Sequence, residues 1–210
     1  MNKKIVIIGA GGHGKVVADI ARKSGYTDVV FLDDYASAKE INGYPIAGTV
    51  KDVARFADCD FFVAIGNGKI REKLQTSLKE NSLSIATLIH PNAVIGENVS
   101  IGEGTVVMAG AVINPSTNIG KGCIINTCAS VDHDCEIGDY AHISVAAHTA
   151  GTVKIGRHTW LGIGSIVSNN LSVTADCIIG AGAVVVKDIH EPGTYVGVPA
   201  RKIIDHNETE

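Results

Sequence analysis

Histidine and aspartate are concentrated in one part of the chain, residues 131–150. Histidine is the side chain most easily poised as a base near neutral pH. A carboxylate directly after a histidine can orient the ring and raise its basicity, so His133-Asp134 is a candidate general-base pair. The alternative interpretation, polar and solvated side chains at turns, applies less easily to three histidines so close together. The residues concerned are Asp132, His133, Asp134, His142 and His148.

A glycine-rich loop near the N-terminus is the second candidate site. It reads Gly9-Ala10-Gly11-Gly12-His13-Gly14 and satisfies GxGxxG. An acidic pair, Asp33-Asp34, follows about twenty residues later, as in dinucleotide-binding folds. Glycine lets the backbone approach phosphates, and a helix N-terminus offers free N–H groups. A dinucleotide site needs two such halves and this region has room for one, so a nucleotide-sugar is favoured over NAD, with a structural tight turn as the remaining alternative.

Strands alternating with helices before residue 89 predict a small parallel sheet with an α/β, half-Rossmann-like fold. We therefore divide the chain into a nucleotide-sugar-binding domain (1–88), a solenoid (89–204) and a polar tail (205–210). The predicted elements are strands over Lys4–Ile8, Val29–Leu32, Asp60–Ile65 and Ser84–Leu88, and helices over Lys15–Ser24, Val50–Phe56 and Lys69–Asn81.

The three histidines lie within a six-residue repeat that runs from Ile89 to Val185, so the structure of this repeat must position them. Every sixth residue is Ile, Leu or Val except Thr149, and the residue two before it is mostly small. Strand side chains alternate between sides, so residues two apart share a face. Helices do not produce a strict period of six, whereas solenoids bury their faces by stacking such short units. Each unit is therefore predicted to be a short strand with two inward residues, followed by a turn.

Composition excludes several classes of protein. The formal charge of −4 gives no general attraction for nucleic acid. No apolar span of membrane length and no signal-peptide pattern occur, so a soluble, cytoplasmic protein without membrane insertion is expected. The five cysteines form no CxxC pair, which argues against a zinc knuckle. Cys123, Cys135 and Cys177 fall on small inward positions of the repeat and are most simply apolar fillers.

The repeat resembles that of the hexapeptide-repeat acyltransferases, which form a left-handed parallel β-helix. The glycine loop, the Asp33-Asp34 pair, Ile65-Gly66-Asn67, the His133-Asp134 turn and the ending Gly197-Val198-Pro199-Ala200-Arg201 occur together. This combination resembles the sugar acetyltransferases of the PglD/NeuD group over essentially the full chain. The resemblance implies an N-acetyltransferase that uses acetyl-CoA, and no metal, to acetylate the 4-amino group of a nucleotide-linked amino-dideoxy sugar, with a UDP-linked sugar favoured.

The same resemblance implies residue roles and a homotrimer whose active sites lie between subunits. His133 matches the general base and Asp134 its supporting carboxylate, although relatives often have the longer Glu at this position. His142, Ile163 and Ala181 match contacts to acetyl-CoA. Five cations give the C-terminal end local positive charge that could meet coenzyme A phosphates: Lys154, Arg157, Lys187, Arg201 and Lys202. The matches to the nucleotide-sugar contacts are Gly11, Gly12, His13, Asp33, Asp34 and Gly66.

Three other functions are compatible with the same pattern. A sugar or sialic acid O-acetyltransferase would use the same base and cofactor and differ only in its acceptor pocket. A zinc enzyme resembling γ-type carbonic anhydrases would need three histidine ligands at a subunit interface, and the gaps from His133 to His142 to His148 do not match that spacing. A non-catalytic scaffold is the third alternative, and it would not bind acetyl-CoA.

Overall fold

The computed structural model describes residues 3–203. The polar tail predicted over residues 205–210 lies outside the described residues. The N-terminal part of the chain is an α/β domain in which strands and helices alternate, as the sequence predicts. Its elements are β1 (Lys4–Ile8), α1 (Gly12–Lys23), β2 (Asp28–Leu32), β3 (Glu40–Ile41), β4 (Tyr44–Pro45), a 3₁₀ helix (Val50–Phe56), β5 (Asp60–Val63), α2 (Gly68–Glu80) and β6 (Ser84–Ile85).

The main sheet of this domain is parallel and has the order β2-β1-β5-β6. After β1 the chain adds β2 on one side of the sheet and then adds β5 and β6 on the other side, so the order in which strands are added reverses between β1 and β5. Ligands of open parallel sheets bind at the carboxyl ends of the strands beside such a reversal. The loops after β1 and β5 lie at the carboxyl ends of these strands, and they lead through Gly9–Gly14 and Gly66–Gly68 into the helices.

The predicted strand over Ser84–Leu88 is wrong in extent. Ser84–Ile85 pairs with β5 in the α/β sheet, whereas Leu88–Ile89 pairs with Val106–Val107 in the solenoid. One continuous apolar run therefore serves two different sheets, and hydrophobicity alone does not mark the change. The predicted boundary after residue 88 falls inside the first strand of the solenoid.

Two other predicted bounds change by two or more residues. α1 begins at Gly12 rather than Lys15, because the last residues of the glycine loop already form its first turn. β5 ends at Val63, two residues earlier than predicted, and the backbone N–H of Ala64 still donates to Ile8 O at 2.8 Å. The glycine loop is therefore shorter than predicted, and its second half is helical.

The solenoid has three faces of parallel two- to four-residue strands, and neighbouring coils are offset by eighteen residues. Face 1 contains Leu88–Ile89, Val106–Val107, Ile124–Ile125, His142–Ile143, Trp160–Leu161, Cys177–Ile179 and Gly193–Val196, with Arg201–Lys202 antiparallel at its end. Face 2 contains Val94–Ile95, Val112–Ile113, Ser130–Val131, His148–Thr149, Ile166–Val167 and Val184–Val185. Face 3 contains Ser100–Ile101, Asn118–Ile119, Glu136–Ile137, Lys154–Ile155 and Ser172–Val173. We name the turns between faces corner 1/2, corner 2/3 and corner 3/1.

The interior of the solenoid confirms the predicted pair of inward positions. Ile113 and Ala111, for example, are both 0% exposed. Ile89 and Ile95 are exceptions, since they belong to the first coil and have no coil beneath them. The second turn residue at successive corners, from Asn98 to Gly182, has φ between 52° and 74°. This left-handed conformation turns the chain from one face to the next at every corner, and residues other than glycine adopt it at most corners.

The two parts of the chain share one apolar cluster. Leu88, Val106 and Ile124 point outward from face 1 and pack against residues of the α/β domain. All three side chains are buried. The same outward column continues through His142, Trp160 and Ile178, which the domain does not cover. The α/β domain therefore packs against the first three strands of face 1, which we call its lower half. The later strands, its upper half, form one wall of a cleft.

Candidate functional site

The His133-Asp134 pair forms as the sequence predicts, at a corner 2/3. The His133 Nδ1–H donates to Asp134 Oδ2 at 2.7 Å, and the backbone N–H of His133 donates to Asp132 Oδ1 at 2.8 Å. The hydrogen bond to Asp134, followed by the charge of Asp132, raises the pKa of His133 above its usual value. With Nδ1 engaged, the lone pair of Nε2 in the neutral ring is available to accept a proton.

The imidazole of His133 lies across the backbone of Gly151 in the next coil. A Cβ at Gly151 would lie 2.6 Å from both Cε1 and Nε2 of the ring. Any other residue there would displace the imidazole, so this glycine is needed for the close approach. The His133 side chain is 57% exposed. The candidate base is therefore held in one orientation at the surface and faces solvent.

His142 lies on face 1, in a different environment from His133. Its ring stacks on Trp160 with 5.6 Å between centroids and an interplanar angle of 0°. Burial, together with the charges of Arg71 and His13, lowers the pKa of His142 to about 3, so the ring is neutral at pH 7. Asn126 Oδ1 accepts from Thr127 N–H at 2.8 Å, which leaves Asn126 Nδ2 to donate to His142 Nε2 at 3.1 Å. The proton of neutral His142 is therefore on Nδ1, and this ring can act as a hydrogen-bond donor.

The glycine loop leaves open space beside its backbone. A Cβ added at Gly11, Gly12 or Gly66 would meet no atom within 4 Å. In contrast, a Cβ at Gly14 would lie 2.1 Å from Gly9 O, so Gly14 is required for helix packing. Gly11 caps α1 without any side-chain hydrogen bond. The first turn of α1 thus presents uncapped N–H groups to an open space, a geometry that suits a phosphate group.

The two aspartates predicted to bind the nucleotide shape the loops around this space. Asp33 Oδ2 accepts from Ala10 N–H at 2.7 Å, and Oδ1 accepts from Tyr35 and Ala36. Burial alone would raise the pKa of Asp33, but these backbone donors hold it below its usual value. Asp34 is exposed and accepts from Val50 N–H at 2.8 Å. Both carboxylates therefore also have a structural role, which the sequence pattern does not show.

A cleft of about 510 Å³ separates the N-terminus of α2 from the upper half of face 1. Gly66 and Asn67 form one wall, and His142, Trp160 and Ile178 form the other. His13 lies on the same side of the α/β domain, where burial and the charge of Arg71 lower its pKa to about 4. The structure thus brings together Gly66, from the predicted nucleotide site, and His142, from the predicted acetyl-CoA site.

Two of the predicted coenzyme contacts, Ile163 and Ala181, stack on corner 1/2. Gly182 N–H donates to Ile163 O at 2.8 Å, so Ile163 and Ala181 occupy successive coils. Ile163 is 61% exposed. Arg201 is exposed, while Lys202 donates to Glu191 Oε2 at 2.9 Å. Lys154 and Arg157 lie elsewhere, on face 3 and corner 3/1, where they pair with Glu136 and Glu72.

The predicted base, His133, and the predicted acetyl-CoA contact, His142, do not lie together in one chain. His133 is at corner 2/3, and His142 is on face 1, so the whole of face 3 separates them along the coil. His148 points outward from face 2 and its Nδ1 lies 2.8 Å from Ser130 Oγ. The three histidines therefore do not meet within a single chain. No group of three or more potential metal ligands occurs within residues 3–203.

Sequence reasoning missed three residues near these groups: Trp160, Asn126 and Arg71. Trp160 follows His142 by eighteen residues, one coil, so the repeat length could have placed it beside His142. Asn126 directly precedes a turn in the coil below, but a count of eighteen back from His142 reaches Ile124. The repeat length therefore gives the coil of Asn126 and not its contact with His142. Arg71 had no such signal, because it lies in a helix outside the repeat.

The fold and both halves of the chain are found in proteins of known structure. Residues 4–78 match the family described as the PglD N-terminal domain, and residues 86–115 match the bacterial transferase hexapeptide family. The chain is 39% identical to the acetyltransferase domain of PglB from Neisseria gonorrhoeae FA1090, with a TM-score of 0.92 over 96% of this chain and 100% of that one. That domain is also known in complex with acetyl coenzyme A.

Two further relatives extend the comparison. PerB from Caulobacter crescentus, solved with CoA and GDP-perosamine, is 38% identical, with a TM-score of 0.91 over 97% of this chain and 98% of that one. UDP-N-acetylbacillosamine N-acetyltransferase of Bacillus subtilis is 36% identical over 108 residues, 49% of this chain and 50% of that protein. The chain thus spans about half the length of this curated relative. The likeness to the solved structures shows that the solenoid is a left-handed β-helix, as its resemblance to the hexapeptide-repeat acyltransferases implies. No helix within residues 3–203 is long and apolar enough to cross a membrane.

Proposed function

Because this chain belongs to the PglD-type sugar N-acetyltransferases of the hexapeptide-repeat superfamily, we propose that it transfers the acetyl group of acetyl-CoA to the 4-amino group of a nucleotide-linked amino-dideoxy sugar. The observation that carries the proposal is the likeness over nearly the whole chain to a structure containing CoA and GDP-perosamine. A UDP-linked acceptor is favoured, as for the UDP-N-acetylbacillosamine N-acetyltransferase of B. subtilis. A GDP-linked acceptor is the alternative that experiment separates.

His133 acts as the general base in this proposal. The acceptor amine attacks the thioester carbon, and the proton it loses passes to Nε2 of His133 as the tetrahedral intermediate forms. Collapse of the intermediate breaks the C–S bond, and the His133 imidazolium returns the proton to the departing sulfur of coenzyme A. Asp134 accepts from Nδ1–H and stabilises the imidazolium that results. The shorter Asp makes this contact at 2.7 Å, which supports its role in place of the Glu found in relatives.

His142 stabilises the developing oxyanion. Its proton is on Nδ1, and the neutral ring is held by Trp160 and Asn126. A fixed donor aimed at the thioester oxygen lowers the barrier because it needs no reorganisation during the reaction. The coenzyme runs along corner 1/2, past Ile163 and Ala181, towards the exposed Arg201.

No covalent acyl-enzyme is required. Cys123, Cys135 and Cys177 are 0% exposed. Burial raises the pKa of all three thiols, that of Cys123 to about 12. A thiol that is both buried and protonated is a poor nucleophile. These three thiols therefore do not act as acyl carriers. Cys128 is exposed at corner 1/2, but direct transfer between two bound substrates needs no carrier, and much of the rate comes from holding those substrates together.

The α/β domain binds the nucleotide part of the acceptor. Open space beside Gly11, Gly12 and Gly66 lets a phosphate approach the backbone. The uncapped N-terminus of α1 offers N–H donors and a favourable dipole to that anion. His13 lies in this first turn, and its Nε2 is buried without a hydrogen-bond partner within residues 3–203. This nitrogen is available to hydrogen-bond the nucleotide-sugar substrate.

The active enzyme is a homotrimer in this proposal. Face 2 carries an outward column that includes Val94, 58% exposed, and Ile166, 42% exposed. His133 borders face 2 at one corner, and Ile163 borders it at the other. Packing face 2 against a neighbouring copy would bury these apolar side chains and bring corner 2/3 of one subunit to corner 1/2 of the next. The base and the coenzyme site of different chains would then form one active site.

Thiol release from acetyl-CoA, measured with UDP-, dTDP- and GDP-linked 4-amino-4,6-dideoxy sugars, tests the proposal. We expect turnover with one nucleotide series, the UDP-linked one first. A matched panel with hydroxyl in place of the 4-amino group is the control. Turnover with the hydroxyl series alone would show an O-acetyltransferase, and failure to bind acetyl-CoA would show a non-catalytic protein.

A further inference from the structure

Arg71 is a fully buried cation without a carboxylate partner within residues 3–203. Its side chain is 0% exposed, and charged side chains are rarely buried so completely unless they are paired. Instead, the guanidinium donates to four backbone carbonyls. The Nε–H donates to Gly122 O at 2.6 Å and Nη2 to Tyr140 O at 2.7 Å. Nη1 donates to Ile65 O at 2.7 Å and to Gly66 O at 3.0 Å.

These carbonyls come from both parts of the chain. Ile65 and Gly66 follow β5, in the loop at the ligand-binding edge of the α/β sheet. Gly122 and Tyr140 are the left-handed turn residues of corner 3/1 in two successive coils. The planar fork of arginine can hold several carbonyls in fixed directions at once, which the single ammonium of lysine cannot. Arg71 therefore fixes the Gly66 loop on the solenoid.

Arg71 also lies close enough to two histidines of the site to affect them. Burial and the Arg71 charge lower the pKa of His13, while burial, Arg71 and His13 lower that of His142. Burial lowers the pKa of Arg71 itself to about 10, so the cation persists at neutral pH. Arg71 thus lies where the Gly66 loop, the glycine-loop histidine and the proposed oxyanion donor come together.

We propose that Arg71 is a positioning residue for acyl transfer, because its guanidinium holds the acceptor-binding loop of the α/β domain in register with the reaction centre on face 1. The inference rests on the proposed function. Arg71 touches neither reacting group in this account. It acts through the Gly66 loop, which presents the acceptor. Its charge also adds to the burial that lowers the pKa of His142.

Gln75 provides the matched control for a purely structural role. It lies one turn further along α2, is 3% exposed, and donates from Nε2 to Gly104 O at 3.2 Å. It therefore also joins α2 to a corner 3/1 of the solenoid, one coil below Gly122. It does not contact the Gly66 loop, and its side chain carries no charge. Q75M thus removes a contact between α2 and the solenoid without affecting the Gly66 loop or the charge near the histidines.

Arg71→Lys, Arg71→Met and Gln75→Met are compared by steady-state kinetics and by NMR titration of labelled histidines. In R71K the KM for the acceptor should rise about tenfold or more, while the KM for acetyl-CoA stays within about twofold, because only acceptor positioning is lost. The His142 titration of R71K should match that of wild type, since the charge is kept. In R71M the His13 and His142 rings should begin to protonate at higher pH. Q75M should lower thermal stability and change neither readout.

Kinetics of R71K indistinguishable from those of Q75M would overturn the inference. An R71M protein whose histidines titrate as in wild type would overturn the electrostatic part. If R71M does not fold, R71K still decides the positioning part. The titration needs no substrate, so wild-type protein that acetylates no amino sugar would disprove the proposed function and leave the role of Arg71 towards the histidines testable.

Discussion

His133 Nδ1 lies 2.7 Å from Asp134 Oδ2, and Asp134 holds this contact from a left-handed backbone position with φ of 57°. Asparagine and aspartate tolerate that conformation better than most residues. The carboxylate next to the proposed base is thus placed by the turn itself. Its distance and charge lead to the first prediction.

Asp134→Asn should move the acid limb of the pH profile of kcat/KM to lower pH. Asp134 raises the pKa of His133, so removing its charge lowers that pKa and lets the base deprotonate at lower pH. The maximal rate should fall roughly tenfold or more, because the weaker base accepts the proton less well. Asp134→Glu is the control that keeps the charge. An unchanged acid limb in D134N would show that Asp134 does not tune the base.

His133→Ala should lower kcat by about 10²–10⁴-fold with little change in fold, since general-base catalysis contributes about that much. The side chain is 57% exposed, so its loss removes little packing. Rates and circular dichroism spectra are compared with those of His190→Ala, another exposed histidine. Full activity in H133A would remove His133 from the mechanism.

Mixed trimers of His133→Ala and His142→Ala subunits should regain activity. In the proposed assembly each site takes His133 from one subunit and His142 from a neighbour, so random mixing gives about one quarter of the sites both intact histidines. Co-expression with two different affinity tags yields the mixed species, and light scattering reports the oligomeric state. Activity no higher than that of the single variants would place both histidines of each site in the same chain.

Thr149→Val should leave the free energy of unfolding unchanged or raise it by up to about 1 kcal/mol. Thr149 is 2% exposed at an inward position of the repeat, and its hydroxyl lies 3.8 Å from Cys135 Sγ, a weak contact. Valine has the same shape without the buried hydroxyl. Thermal unfolding at one fixed protein concentration measures the change, with Thr149→Ala as the destabilised comparison. A large loss in T149V would show that the hydroxyl has a stronger partner.

The sequence predicts the interior of the solenoid well for a simple physical reason. A strict period of six leaves only one arrangement that buries Ile113, Ala111 and their equivalents. The His133-Asp134 contact is also predictable, because the residues are adjacent. By contrast, Leu88 belongs to the solenoid although it continues an apolar run, since hydrophobicity does not record which sheet a strand joins.

The rest of the site depends on contacts between residues that are far apart in the sequence. Trp160 can be inferred only when the coil length is used to count from His142. Arg71 bonds carbonyls at Gly122 and Tyr140, and such carbonyl contacts are independent of side-chain identity, so no sequence pattern reports them. In the proposed homotrimer, the approach of His133 of one chain to His142 of another depends on how the chains pack, which no pattern in the sequence reports.

The most direct test of the central claim is the carbonyl signal of the product. Wild-type protein and H133A are incubated with acetyl-CoA carrying ¹³C in the acetyl carbonyl and with the UDP-linked 4-amino-4,6-dideoxy sugar, and the product is examined by ¹³C NMR. We expect an amide at the 4-amino nitrogen that forms with wild-type protein and is almost absent with H133A. An ester on the sugar, or an amide formed equally by both proteins, would contradict it.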